Sequence, residues 1–599
     1  MKKIFHFLPS DTVRDMALRY GHWLAVNFFL IAVLPGCWGQ KEQADTILIN
    51  GKVITVDGNF SITEAVALKN GRILETGDTQ HILDLTGGST KIINLKGHTV
   101  IPGLNEGHAH PIAASQSEYL EPIPDVHTIE DVLTWVREQT ERKSDDEWII
   151  HPKFFITRLD DMREITKKEL DDAAPRHPVF LNGSYGGLIN SKALRLSKMM
   201  DIKHPGILRH EKTGQPTGVI LRSAFKLLAL PQAVAITEEQ KAALLKEQLH
   251  LYNSIGITSV CSGGGTMEEL KAFEDLMSRN ELTVRIFHNI RVPFDLKQSQ
   301  DEMLEDLQKL AVKTGDGNEW VKVGALKVVL DGGMLTGTAF LHEGWGEKAK
   351  KIYGISDPSY RGELFISKEE LTKVVAAGLE AGWKFTAHVT GGAGVDTLLA
   401  AYEDVNRIKP IKGRRFSIIH GNFFTSEAIE KMVKLGVYAD MQPAWFFKDT
   451  DLLHRVLGTE RIKTFHPYGA LTEAGVLVNG GSDHMVKVDP DLSINPYNPF
   501  MAMWSVVTRK TEKGTVFNPE QSVSREEALK MYTINNAYAS FEEDLKGSIE
   551  KGKLADLVVL SQDILTCHED SIRVIRPLLT VVNGETVFDN GELKVETRN

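Results

Sequence analysis

The 599-residue chain contains only three cysteines, Cys37, Cys261 and Cys567, and no CxxC pair. That scarcity excludes a disulfide-stapled scaffold and a thiolate zinc site, so a metal would have to be held by histidine, carboxylate or a less usual ligand. Positive charge is in deficit too: 69 Lys+Arg stand against 80 Asp+Glu, a formal net charge of -11. Without a basic face, nucleic acid is excluded as the expected partner, and a small-molecule substrate is expected instead. There is no low-complexity tract or short-period repeat, and the composition, 42% hydrophobic and 25% charged, is that of a soluble globular protein.

The apolar run "WLAVNFFLIAVL", Trp23 to Leu34, is too short to span a bilayer. It follows Arg14, Arg19 and His22 and ends at "LPGC", Leu34 to Cys37, which is the order of a signal peptide closed by a lipobox-like sequence. Residues 1–37 are therefore expected to direct export, giving a periplasmic or membrane-anchored bacterial lipoprotein attached only through a lipid on Cys37. Met16 would open a leader of more usual length. The competing reading of this stretch is a buried N-terminal helix.

The two ends of the chain share one pattern. "DTILINGKVITVDG" and "ITEAVALKNGRILETG" alternate apolar residues and turn at Asp57-Gly58 and Asn70-Gly71, while "LLTVVNGETVFDNGEL" turns at Asn583-Gly584 and Asn590-Gly591. Residues 44–102 and 546–599 are expected to pair into one β-sandwich domain. Between them, segments such as "EEQKAALLKEQLHLYNSIGITSVCSGG" alternate helix period with apolar strands, as βα units around a parallel sheet do. The predicted fold is α/β: a (β/α)8 TIM-like barrel over 103–545 with an α+β subdomain inserted at about 112–221. A homodimer is compatible with this architecture.

"GLNEGHAHP" places His108 and His110 one residue apart after the run from Thr99 to Leu104. If that run ends a barrel strand, the period of two turns both imidazoles to one side, as metal ligands or as hydrogen-bonded polar residues. Four more residues end strand-like runs: Lys327 in "GALKVVLDGG", His388 in "WKFTAHVTGG", His420 in "FSIIHGN" and Asp483 in "GVLVNGGSDH". His420 follows His388 by 32 residues and precedes Asp483 by 63, one and two units at about 31 residues per unit. Lys327 precedes His388 by 61 residues, one unit plus a long loop. A lysine among Ala325, Leu326, Val328 and Val329 must be paired, snorkelling, chemically changed or at a surface edge.

The order HxH, Lys, His, His, Asp on a barrel flanked by a split β domain resembles the amidohydrolase superfamily, and within it the branch of N-substituted formamide deformylases (amidohydrolase family 3, YtcJ-like). "PTGVI", "GITSV", "GVYADMQPAW", "GGSDH" and "KGSIEKGKLADLVVL" extend the likeness over nearly the whole chain after the leader. The resemblance implies two divalent metal ions, Zn above all. His108, His110 and Asp483 would hold the more buried ion and His388 and His420 the other, bridged by carboxylated Lys327. It implies hydrolysis of an amide-type C–N bond by a bridging hydroxide, with Asp483 also the catalytic acid/base.

Substrate-facing motifs depart from that branch. Its usual aspartate before HxH is Glu106, its "DGHA" is "GSYGG" around Tyr185, its "HDAG" is "CSGG" from Cys261, and the aspartate of "HxIGD" is Gly392. Tyr185, Asp331, Gln442 and Trp445 are the expected substrate-binding residues, each with a structural role as its alternative. Two other functions stay open: a hydrolase or deaminase acting on a cyclic amide, lactone, ester or heterocycle with the same centre, and a non-catalytic binding lipoprotein.

Overall fold

The computed structural model describes residues 42–232 and 234–597. Cys37 and the leader over 1–37 lie outside the described residues. Among those described, no helix is long and apolar enough to cross a membrane.

Eight parallel strands form a nearly closed barrel: β1 (Leu104–Ala109), β2 (Ile257–Gly265), β3 (Arg285–Arg291), β4 (Val321–Val329), β5 (Phe385–Val389), β6 (Ser417–His420), β7 (Tyr438–Met441) and β8 (Val478–Gly480). Their buried Val, Ile, Leu and Phe residues form one core with the surrounding helices, as expected for parallel strands covered on both faces. Helices open where the sequence carries caps: Thr237 with Gln240 before Glu238–Ser254, and Ser367 with Glu370 before Lys368–Glu380, both complete capping boxes. The seam between β8 and β1 closes just beyond the strands, through a parallel bridge from Ala109 to His484 and the Asp483 N–H donated to His108 O at 2.6 Å.

Both chain ends contribute to two further sheets. Thr46–Ile49, Ala65–Lys69, Arg72–Gly77 and Lys91–Asn94 join Val595–Thr597 in a sheet of five strands, while Lys52–Ile54, Ile62–Thr63 and Thr99–Pro102 join Leu557–Leu560, Pro577–Val582 and Glu585–Asp589 in one of six. Leu48, Val53, Val66, Val100, Val559 and Leu579 pack between them. Asn70-Gly71 and Asn583-Gly584 have positive φ at both residues (50° and 74°, 55° and 77°), the conformation that tight hairpin turns require. Thr99–Pro102 pairs with Lys52–Ile54 and Leu557–Leu560 and so lies in the sandwich, inside the span 44–102; the run from Thr99 to Leu104 is therefore not the end of a barrel strand, and β1 begins at Leu104. Arg285 of β3 grips Asp556 through two hydrogen bonds of 2.7 and 2.9 Å, buried between the two bodies.

Between β1 and the helix Glu238–Ser254 the chain builds a five-stranded sheet in the order Ile207–Arg209, Pro216–Leu221, Gly186–Ile189, Val179–Asn182, Ile149–His151. Its loops carry Lys153, Tyr185 and Arg222 to the C-terminal mouth of the barrel, where they share a cavity with barrel residues.

Candidate metal centre

Ends of different barrel strands deliver the ionisable side chains to one point: His108 from β1, Lys327 from β4, His388 from β5, His420 from β6, with His110 and Asp483 just past β1 and β8. His108 Nε2 and His110 Nε2 lie 3.5 and 3.4 Å from Asp483 Oδ1, and each of the three residues offers a ligand atom within 4.8 Å of the other two. Lys327 Nζ is 3.3 Å from His108 Nε2. The rings of His388 and His420 are 4.5 Å apart, and that of His420 is 5.5 Å from His108. His420 and Asp483 both hold a positive φ, 75° and 58°, a strained conformation for residues with a side chain. Asp483 is fixed in it by His108 O and by Asn495 Nδ2, which donates to its carbonyl at 2.8 Å.

Burial disfavours the charged imidazolium, pushing His108 and His388 down to about 3 and His420 well below its ordinary value. These histidines are therefore neutral at neutral pH, each with one lone pair, and the partner of the other nitrogen decides which. His388 Nε2 faces Gly332 O at 3.1 Å, so Nδ1 carries the lone pair on the side of the Tyr185 hydroxyl, 3.4 Å away. His420 Nδ1 faces Gln442 Oε1 at 2.7 Å, which leaves Nε2 free. Burial would raise Asp483, but the hydrogen bonds to His108 and His110 hold it well below the usual carboxylate range.

Of the four expected substrate-binding residues, two line the cavity. The half-buried Tyr185 stacks on His388 at 4.9 Å, and Trp445 on His420 at 4.4 Å. Asp331 and Gln442 lie behind the lining, next to residues that form it. Asp331 is fully buried and accepts the backbone N–H groups of Phe340, Thr390 and Gly391 at 2.9, 2.8 and 2.8 Å, tying the loops after β4 and β5 together. Gln442 sits behind His420, its Nε2 3.1 Å from Asp440 Oδ1. Sequence reasoning missed Lys153, Arg222 and Arg291, which line the same cavity of about 460 Å³. The available signal was the lysine of "HPKFF", a cation set among aromatic residues.

The donor set fits divalent metal: neutral imidazoles, an ionised carboxylate and a buried amine, without thiolates. Room for it comes from "CSGG". A methyl group on Gly263 would lie 2.6 Å from His108 Cε1 and 2.7 Å from its Nε2, and one on Gly264 would lie 2.6 Å from Lys327 Cδ. Gly263, where the related branch usually has alanine, and Gly264, which that branch shares, thus leave space against His108 and Lys327. Glu106 accepts the N–H groups of His108 and Ser482 at 3.0 and 2.7 Å, a role in holding the barrel seam.

Comparison with known proteins agrees with this geometry. Residues 91–588 match the amidohydrolase family. The chain is 27% identical to the N-substituted formamide deformylase of Arthrobacter pascens, over 91% of this chain and 98% of that one. It is 25% identical to the putative amidohydrolase YtcJ of Bacillus subtilis, over 88% and 96%. An uncharacterized metal-dependent hydrolase from Pyrococcus furiosus has the same fold, with a TM-score of 0.60 at 24% identity over 87% of this chain and all of that one. With more than half of its length matching the family and a site of this composition at the mouth of the barrel, the chain belongs to the amidohydrolase family and is a hydrolase of carbon–nitrogen bonds.

Proposed function

We propose that this protein hydrolyses an amide-type C–N bond of a small molecule at a two-metal centre. His108, His110 and Asp483 would hold one ion, His388 and His420 the other, and carboxylated Lys327 would bridge them. The observation that carries this reading is the convergence of His108, His110 and Asp483 within 4.8 Å, beside Lys327, at the floor of the cavity. Zinc suits nitrogen and oxygen donors, with manganese, iron or nickel as alternatives. When bound, the divalent ions supply Lewis acidity, polarising the scissile carbonyl and bringing water ionisation toward neutral pH.

The chain's own residues supply the rest. Burial lowers Lys327 to about 8, with Asp483 and Asp440 opposing the shift. A neutral amine is the form that adds carbon dioxide, and the product exchanges a costly buried cation for an anionic oxygen ligand. Asp483 is ionised, so it can take the proton of the attacking water and pass it to the leaving nitrogen. Tyr185 stays protonated because burial raises its phenol, and its hydroxyl can donate to the oxygen that gains charge. The name of the Arthrobacter relative supports an amide substrate, while the changed motifs around Tyr185, Cys261 and Gly392 argue against carrying over its formyl group.

The test is product identity from metal-reconstituted protein given N-acyl, N-formyl, heterocyclic, lactone and ester substrates. Amine release with acid formation is the expected result. Ammonia from a ring, or alcohol alone, would replace the amide by the corresponding substrate, and metal binding without turnover of any of them would sink the catalytic reading.

A further inference from the structure

The cavity carries positive charge that the candidate metal ligands do not use. Lys153, from the loop after Ile149–His151, is only 9% exposed, and its Nζ rests against Ser184 Oγ. Arg222 lies 5.0 Å above the Tyr185 ring, and the exposed Arg291 ends β3. All three line the cavity, and none has an ion-pair partner among the described residues. Asp483 is the single acidic side chain among the described lining residues, and it already faces His108 and His110.

Burying an ammonium group without a carboxylate partner costs several kcal/mol, and here burial lowers Lys153 to about 8, with the Asp483 charge opposing the shift. Its structural contacts are slight for a buried cation: one serine hydroxyl, and the face of the Phe155 ring 5.7 Å from Nζ. Arginines stay charged under all relevant conditions. Three cations around a partly closed cavity focus a field that attracts and orients an anion. Asn182 lines the same cavity and offers an uncharged donor.

We infer that the substrate carries an anionic group, a carboxylate or a phosphonate-type group, which pairs with Lys153 and is drawn in by Arg222 and Arg291 while the scissile bond lies over His388, His420 and Asp483. The position of the scissile bond rests on the hydrolytic reading above; the anion subsite does not.

The test is calorimetric titration of the full, metal-loaded protein with N-acetylglycine, its uncharged twin N-acetylglycinamide and N-acetylaminomethylphosphonate, with amine release followed in the same samples. At least one anionic probe is expected to bind about 10- to 100-fold more tightly than the carboxamide, the usual size of a charged hydrogen bond. Whether the carboxylate or the phosphonate binds better identifies the anion. Lys153→Met and the exposed Arg291→Gln should each erase most of that preference, with unfolding midpoints showing that both variants are folded. Equal affinity for charged and neutral probes, no binding of any probe, or a preference unchanged in both variants overturns the subsite. Hydrolysis without charge preference removes the subsite and leaves the hydrolytic reading, whereas charge-selective binding without amine release leaves the subsite and removes that reading.

Discussion

Gln442 Oε1 accepts from His420 Nδ1 at 2.7 Å, and the other end of the same amide is pinned to Asp440 at 3.1 Å. The glutamine therefore selects the tautomer of His420 that keeps the Nε2 lone pair. Residues behind metal ligands that act this way are worth about 10- to 100-fold in metal affinity. Gln442→Leu is expected to lose that much, read by chelator competition, while Gln442→Glu, which keeps an acceptor, should lose much less. Equal affinity in Gln442→Leu and the parent would show that Trp445 stacking alone orients His420.

Lys327→Ala separates catalysis from folding. Its amine is buried beside His108 at a desolvation cost, so removal should leave the unfolding midpoint unchanged or raised. Metal content is expected to fall from two ions per chain to one or none, with kcat down by about 100-fold or more because transition-state charge stabilisation is lost. Acetate or propionate, filling the vacated space with a carboxylate, should restore part of the activity. Normal metal content and turnover in Lys327→Ala would remove the bridging role.

The spacing of Lys327, His388, His420 and Asp483 could be read in sequence because each ends a strand of a repeating unit, and repetition fixes where strand ends fall. The hairpins were legible for a local reason: Asn-Gly demands the positive φ that Asn70-Gly71 and Asn583-Gly584 adopt. What the sequence hid depends on contacts between distant segments. Asp331 and Gln442 sit next to strand ends as the candidate ligands do, yet their side chains face backbone N–H groups and His420 rather than the cavity. Lys153 and Arg222 come from the inserted sheet, whose position over the barrel no periodicity announces.

Tyr185→Phe keeps the ring that stacks on His388 and removes only the hydroxyl 3.4 Å from Nδ1. Metal content should therefore be unchanged. If the hydroxyl donates to the oxygen that gains charge during attack, kcat should fall by about 100-fold with KM little affected. A rise in KM at unchanged kcat would instead make Tyr185 a binding residue.

Far from the metal ligands, Glu542 lies between Lys322 of β4 and Lys546, at 2.8 and 2.9 Å, in the segment that joins barrel to sandwich. Burial alone would raise its carboxyl group, but the two ammonium groups hold it down to about 2, against 4.5 when free. Between pH 4.5 and 2 the unfolded chain takes up a proton that the folded chain refuses. The stabilisation is thus fully present above the upper limit and lost as pH falls toward the lower one, with a size of about 3 kcal/mol. Urea unfolding of metal-free protein should show this acid-side slope, and Glu542→Gln should flatten it while lowering stability at neutral pH, because the buried Lys546 and the half-buried Lys322 lose their counter-ion. Metal release cannot contribute when both proteins are stripped beforehand, so the difference between the slopes reports Glu542 itself. Parallel slopes would show that Lys322 and Lys546 find other partners, and that the barrel is fastened to the sandwich chiefly through Arg285 and Asp556.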